Sequence, residues 1–210
     1  MNLSIKKSYE IICTLFYTFA FTIQFFVIKE RVDTGEMTWF SSSFRSIMYM
    51  TIWTNVILYI TFILVTFNKI KPSNQSYFSA LMTYITIVAT IYHVALSHLW
   101  TPTGYLYITD IAFHSVGPIL YLIYWIFFTK KSFVSHLDSI KWLVYPAVYT
   151  VFFLTVGFLI HKYPYPIYDL DTLPFLTVLR NIGFTLLTYL FFGNLIIIVN
   201  NLIGKKTITK

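Results

Sequence analysis

Long runs of apolar residues, separated by short polar connections, dominate this chain. Six of these runs are close to the roughly 20 residues that a helix needs to cross the hydrocarbon layer of a membrane. They are Tyr9 to Ile28, Ser46 to Phe67, Tyr77 to Ser97, Asp110 to Thr129, Trp142 to His161 and Phe175 to Asn200. The runs are continuous and lack the two-residue alternation of a membrane β-barrel. The pattern therefore predicts an all-α integral membrane bundle of about six transmembrane helices.

The connections are too short to form a further domain, because the longest cover only about 16 and about 13 residues. We therefore predict a single transmembrane domain over residues 1–210. Lys6 and Lys7 precede an apolar run of spanning length with no small-residue cleavage site after it, so we expect the first span to be retained.

Composition excludes the soluble classes of protein. Of the 210 residues, 57% are hydrophobic and 11% are charged, and a soluble domain could not hide so much apolar surface from water. The net charge of +7 lies mostly in the connections, where it indicates topology and headgroup contact and predicts no nucleic-acid partner.

Lysine and arginine are distributed unequally between the two sides of the predicted membrane. With the N-terminus inside, ten lie in inner connections and four in outer ones, which predicts that both termini are cytoplasmic. The inner ten are Lys6, Lys7, Lys69, Lys71, Lys130, Lys131, Lys141, Lys205, Lys206 and Lys210, and the outer four are Lys29, Arg31, Arg45 and Lys162.

Polar side chains within the spans gather toward the predicted outer side. Thr51 lies about 7 Å and His114 about 6 Å from the outer ends of their spans, at 1.5 Å per residue. Intramembrane ionisable groups usually face a bundle interior or cavity, so we predict a polar pocket that opens outward. His93, His98, His161 and Arg180 lie toward the same side.

Thr51 and His114 are the candidate nucleophile and base, since a hydroxyl becomes nucleophilic beside a group that takes its proton. Asp110 precedes His114 by one helical turn and either orients the imidazole or simply begins the helix. Asn55 lies on the face of Thr51 and either supports the site or bridges two helices.

Two further features remain open to two interpretations each. The loop with Tyr163 and Tyr165, each followed by proline, is either a lid over the pocket or a loop anchored at the interface. The single cysteine, Cys13, excludes a disulfide framework and cysteine-based clusters. We predict no metal and no organic cofactor.

Three segments resemble the androgen-induced-protein family of six-span membrane proteins and its bacterial relatives. They are Tyr49-Met50-Thr51-Ile52-Trp53-Thr54-Asn55, His114-Ser115-Val116-Gly117-Pro118 and Tyr163-Pro164-Tyr165-Pro166. Their order and spacing agree with the family over most of the chain. Pro118 follows His114 by four residues, where animal members have five, and this resembles the bacterial branch.

The resemblance implies a threonine hydrolase that cleaves fatty acid esters of hydroxy fatty acids, with Thr51 as nucleophile and His114 as base. Asn55, Arg180 or backbone amides are candidates to stabilise the oxyanion. The expected partner is a membrane lipid or lipid ester, and the expected location is a bacterial plasma membrane. The sequence leaves open a carrier that binds lipid or a small molecule without cleavage, and also a structural or signalling protein.

Overall fold

The computed structural model describes residues 3–208, with side chains through Lys205, and this part of the chain is helical without strands. Nine α-helices occur in it, together with two π turns and two short 3₁₀ helices. The α-helices are α1 Leu3–Asp33, α2 Trp39–Ile47, α3 Met50–Thr66, α4 Gln75–Ile91, α5 Gly104–Ile111, α6 Gly117–Phe127, α7 His136–Trp142, α8 Val144–Ile160 and α9 Phe175–Ile208. The π turns are Tyr92–Leu96 and Ala112–Val116, and the 3₁₀ helices are Ser97–Leu99 and Pro166–Tyr168.

The predicted all-α membrane class is confirmed. Within the described residues, five helices are long and apolar enough to cross a membrane, and a sixth span exists if one bent pair is counted as a unit. The cytoplasmic placement of the termini stays a prediction, and of the charges that support it, Lys210 and the side chain of Lys206 lie outside the described residues.

The bent pair corrects the second predicted span, which we expected to run straight from Ser46. Here α2 and α3 meet at 81°, because Tyr49 adopts an extended backbone with φ −94° and ψ 130°. The polar side of α2 faces α1: Ser42 donates to the Ile28 carbonyl, and Ser46 accepts from Gln24. Phe40 on the other side is 78% exposed, as suits a helix in contact with lipid.

The fourth predicted span also begins elsewhere. It starts at Gly104, where φ is +58°, so Asp110 lies in the seventh position of α5 and is buried. The interpretation that Asp110 merely begins the helix is therefore wrong.

Contacts between residues divide the chain into two compact units, Met1–Lys130 and Lys131–Lys210, and the single-domain prediction stays a prediction. The core of the first unit contains an aromatic cluster, in which Tyr17, Phe62, Tyr121 and Tyr124 are almost fully buried. Ring contacts of 5.1–6.3 Å between the centroids join them. Tyr121 donates to the Phe78 carbonyl, so this buried hydroxyl is satisfied.

Lys7 closes the C-terminal end of α3. Its ammonium donates to the carbonyls of Val65, at 3.2 Å, and Thr66, and to Asn68 Oδ1 at 3.1 Å. The last carbonyls of a helix have no partner within it, and a cation there also interacts favourably with the helix dipole.

In the second unit, asparagines of α9 bind the segment that precedes α7. Asn201 pairs with both backbone groups of Val134, and Asn200 donates to the Ser132 carbonyl. Lys131 begins this segment and is half-buried, and burial lowers its pKa to about 7. The folded state thus disfavours the ammonium form.

We expect Lys7→Met to lower the free energy of unfolding by about 1 kcal/mol, since the α3 carbonyls lose a charged donor. Thermal unfolding in detergent measures this loss. Lys6→Met is the matched control, because the contact that the described residues give Lys6 is a 3.8 Å ion pair with Glu10, away from the α3 carbonyls. Equal effects of the two substitutions would contradict the capping role of Lys7.

Lys131 should react with an amine-acylating reagent, and its reaction rate should rise with pH with a midpoint of about 7, as its pKa predicts. Mass spectrometry of its peptide measures the rate, with Nα-acetyl-lysine as reference and Lys131→Arg to identify the site. By linkage, this lysine makes the fold less stable as the pH falls from its ordinary pKa of 10.5 toward 7. A midpoint near 10 would contradict the effect of burial.

Candidate functional site

The structure brings Thr51 and His114 together across two helices. Thr51 is the second residue of α3, and His114 lies in the second π turn. Thr51 Oγ1 and His114 Nε2 are 3.1 Å apart, a distance at which a hydroxyl and an imidazole form a hydrogen bond. Both residues are half-buried.

The second ring nitrogen of His114 determines which atom carries the proton. His114 Nδ1 lies 3.0 Å from the Asp110 carbonyl oxygen, which can only accept, so Nδ1 must be the protonated nitrogen. In the neutral ring, Nε2 then presents a lone pair to Thr51, and the Thr51 hydroxyl donates to it. This tautomer is the one that a general base for Thr51 requires.

Thr51 differs from many other threonines of this chain, whose hydroxyls donate to the carbonyl four residues earlier. The corresponding acceptor for Thr51 would be the Ile47 carbonyl, but Ile47 belongs to α2 and accepts from Trp53 Nε1 at 2.8 Å. The bend at Tyr49 therefore leaves the Thr51 hydroxyl to His114. The back-bonded threonines include Thr14, Thr18, Thr22, Thr61, Thr83, Thr129, Thr185 and Thr188.

The carboxylate of Asp110 lies beside the imidazole. Asp110 Oδ1 is 3.3 Å from His114 Nδ1 but forms no hydrogen bond, because the N–H points at the nearer carbonyl. The contact is thus electrostatic and not a hydrogen bond. Asp110 Oδ2 accepts from the Tyr92 hydroxyl.

Tyr92 is a site residue that the sequence did not identify. Its ring stacks on the His114 imidazole with centroids 3.8 Å apart and planes 9° apart, while its hydroxyl binds Asp110. Tyr92 begins the first π turn, and a π turn changes which residues share a helix face. Helical spacing alone could not have selected it.

Asn55 bridges two helices, which was one of the two interpretations of its role. Its Nδ2 donates to the carbonyls of Thr51, at 2.9 Å, and Phe113, at 3.3 Å. Two carbonyl acceptors fix the amide orientation. Both N–H groups of Asn55 are therefore engaged, and neither is free to stabilise an oxyanion.

His93 and Ser115 form a second imidazole and hydroxyl pair, 3.1 Å apart. His93 Nε2 also lies 3.2 Å from the His114 carbonyl oxygen, so Nε2 carries a proton by the same rule of acceptors. A protonated nitrogen cannot take the proton of Ser115. In this second pair the imidazole therefore cannot act as the base for the hydroxyl, whereas His114 can for Thr51.

The remaining predicted site residues lie in the second unit, and their relation to Thr51 stays a prediction. Arg180 is exposed on α9. Tyr163 packs against Gly157 of α8; burial, together with the carboxylates of Asp171 and Asp169, raises the pKa of its hydroxyl. Tyr165 packs edge-on against two other rings of this unit.

Within residues 3–208, no three histidine, cysteine, aspartate or glutamate side chains are grouped so that they could hold a metal. The chemistry that this geometry offers is proton transfer between a hydroxyl and an imidazole supported by a carboxylate.

No protein-family model matches the chain, and neither a curated protein nor a solved structure matches it. The family resemblance of the three segments therefore stays a prediction. The geometry of Thr51, His114 and Asp110 carries the functional argument.

Gly117 allows the second π turn to approach α1 and α3. A Cβ at this position would lie 2.9 Å from the Ala112 carbonyl and 2.9 Å from the Tyr17 hydroxyl. We expect Gly117→Ala to lower the free energy of unfolding by about 1–3 kcal/mol through overpacking.

Gly183→Ala is the matched control, because nothing lies within 4 Å of a Cβ there. It should leave stability equal or raise it by about 0.5–1 kcal/mol through helix propensity. Thermal unfolding of both variants compares them, and a neutral Gly117→Ala would contradict the tight approach.

Proposed function

We propose that this protein is an intramembrane hydrolase of lipid esters, with Thr51 as the nucleophile and His114 as the general base. The observation that carries the proposal is the 3.1 Å contact between Thr51 Oγ1 and the unprotonated Nε2 of His114. Hydrogen-bond contact between a hydroxyl and a correctly protonated base is the structural feature of an activated nucleophile.

In the proposed reaction, Thr51 Oγ1 attacks the ester carbonyl carbon while His114 Nε2 takes its proton. The tetrahedral intermediate collapses, the alcohol leaves with the proton from Nε2, and an acyl group remains on Thr51. Water then loses a proton to Nε2 and attacks this acyl group. The acid leaves, and the proton returns to Thr51.

Asp110 and Tyr92 have supporting roles in this scheme. The imidazole becomes positively charged in each step, and the Asp110 carboxylate at 3.3 Å stabilises that charge. Tyr92 holds the carboxylate through its hydroxyl and the imidazole through its ring. The base is thus positioned before substrate binds, which lowers the cost of reaching the transition state.

Backbone amides are the favoured oxyanion donors. The donors of Asn55 already bind two carbonyls, whereas Thr51 lies in the first turn of α3, where N–H groups lack helical acceptors. The N-cap residue Tyr49 supplies no side-chain cap there. In this proposal the amide of Thr51 itself contributes to binding the oxyanion.

A lipid ester is the proposed substrate class because the site lies in helices that are apolar enough for a membrane. Fatty acid esters of hydroxy fatty acids are the specific proposal, which rests on the family resemblance. The proposed location is a bacterial plasma membrane.

The experiment is labelling of the purified, detergent-solubilised protein with a fluorophosphonate probe, followed by mass spectrometry to find the modified residue. We expect the probe on Thr51, and a fall in labelling rate of about 10²–10⁴-fold in His114→Gln. Thr51→Val, which keeps the side-chain shape, should abolish labelling, while Thr51→Ser should retain it.

Ser115→Ala is the control, since it removes the hydroxyl of the second pair and should label at the wild-type rate. Modification of Ser115 in place of Thr51 would show that Ser115 is the nucleophile and would contradict the proposal. A folded wild-type protein that takes no label and cleaves no hydroxy fatty acid ester would favour the carrier hypothesis.

A further inference from the structure

Two successive carbonyls in the second π turn have lost their usual helical donors. The N–H of Gly117 bonds to Ala112, five residues earlier, so the Phe113 carbonyl loses its partner four residues on. Residue 118 is proline and has no N–H, so the His114 carbonyl loses its partner too.

Unsatisfied carbonyls are costly in an apolar environment, and here each receives a side-chain donor from a neighbouring helix. Asn55 donates to Phe113 at 3.3 Å. His93 Nε2 donates to His114 at 3.2 Å and shares its proton with Ser115 Oγ. These donors replace the Gly117 N–H, which bonds to Ala112, and the N–H that Pro118 lacks.

Two neighbouring residues of the first π turn contact His114. Tyr92 stacks on the His114 ring, and His93 binds the His114 carbonyl. The ring and the peptide of His114 are therefore held from one side by a single turn, while Thr51 faces Nε2.

We infer that His93 is a positioning residue for His114: its Nε2–H takes the place of the N–H that Pro118 lacks and fixes the peptide that carries the base. This inference rests on the proposed function only for the role of His114 as a base; the contact of His93 with the His114 peptide does not depend on it. Small displacements of a base relative to a nucleophile cost large factors in rate.

The first arm of the test is probe labelling of three variants. His93→Leu removes the donor and should slow labelling about 10-fold or more and shift its pH profile. His93→Gln keeps an N–H donor at similar reach and should restore at least half of the rate. His98→Leu, an exposed histidine of the same segment, should label like wild type.

The second arm tests the link to Pro118 directly. Pro118→Ala supplies an N–H four residues after His114, so the peptide no longer depends on His93. We expect His93→Leu to cost less than 3-fold in that background. An equal cost with and without Pro118 would overturn the inference, as would a His93→Leu single variant that labels like wild type.

A third arm separates this inference from the proposed function. In protein with ¹⁵N-labelled histidine, the His114 signals should show the Nδ1–H tautomer, with His93→Leu disturbing it and His93→Gln not. If the wild type takes no label but these spectra behave as described, His93 positions His114 and the hydrolase proposal fails. If His93→Leu leaves the His114 signals unchanged, the inference itself fails.

Discussion

Every polar group of the backbone that leaves the helical pattern must find a partner inside the protein, because lipid offers none. The structure meets this constraint with side chains at several breaks. Lys7 serves the end of α3, and Asn55 and His93 serve the second π turn. In the second unit, Asn200 and Asn201 serve the segment before α7. These polar side chains lie where the backbone is irregular.

The candidate site follows from two such irregularities. The bend before α3 separates Thr51 from its usual acceptor in the preceding turn, and the π turn directs the His114 ring toward it. Asp110, one turn earlier, then accepts from the ring through its carbonyl and places its carboxylate beside it. Regular helices would satisfy their own threonines and leave the base without this partner.

The sequence predicted the helical class and the approximate spans because apolar length is a property of composition along the chain. It also paired Thr51 with His114, since both lie at similar predicted depth. It did not predict the bend at Tyr49, because the apolar run continues through it. Tyr92 was missed for a related reason, since the register of a π turn depends on tertiary contacts. Pro118 deprives the His114 carbonyl of a backbone donor, but only packing selects His93 to replace it.

The second π turn has a consequence for the helix that follows it. A π turn holds one residue more than the same length of α-helix, and each α-helical residue rotates the chain by about 100°. The phase of α6 is therefore set by this extra residue, and with it the side of the helix that carries Tyr121 and Tyr124 into the aromatic core. Removing the inserted residue would rotate α6 by about 100° and take those rings out of their present packing. The insertion thus ties the candidate catalytic geometry to the packing of the fold, so that neither can be altered alone at this point of the chain.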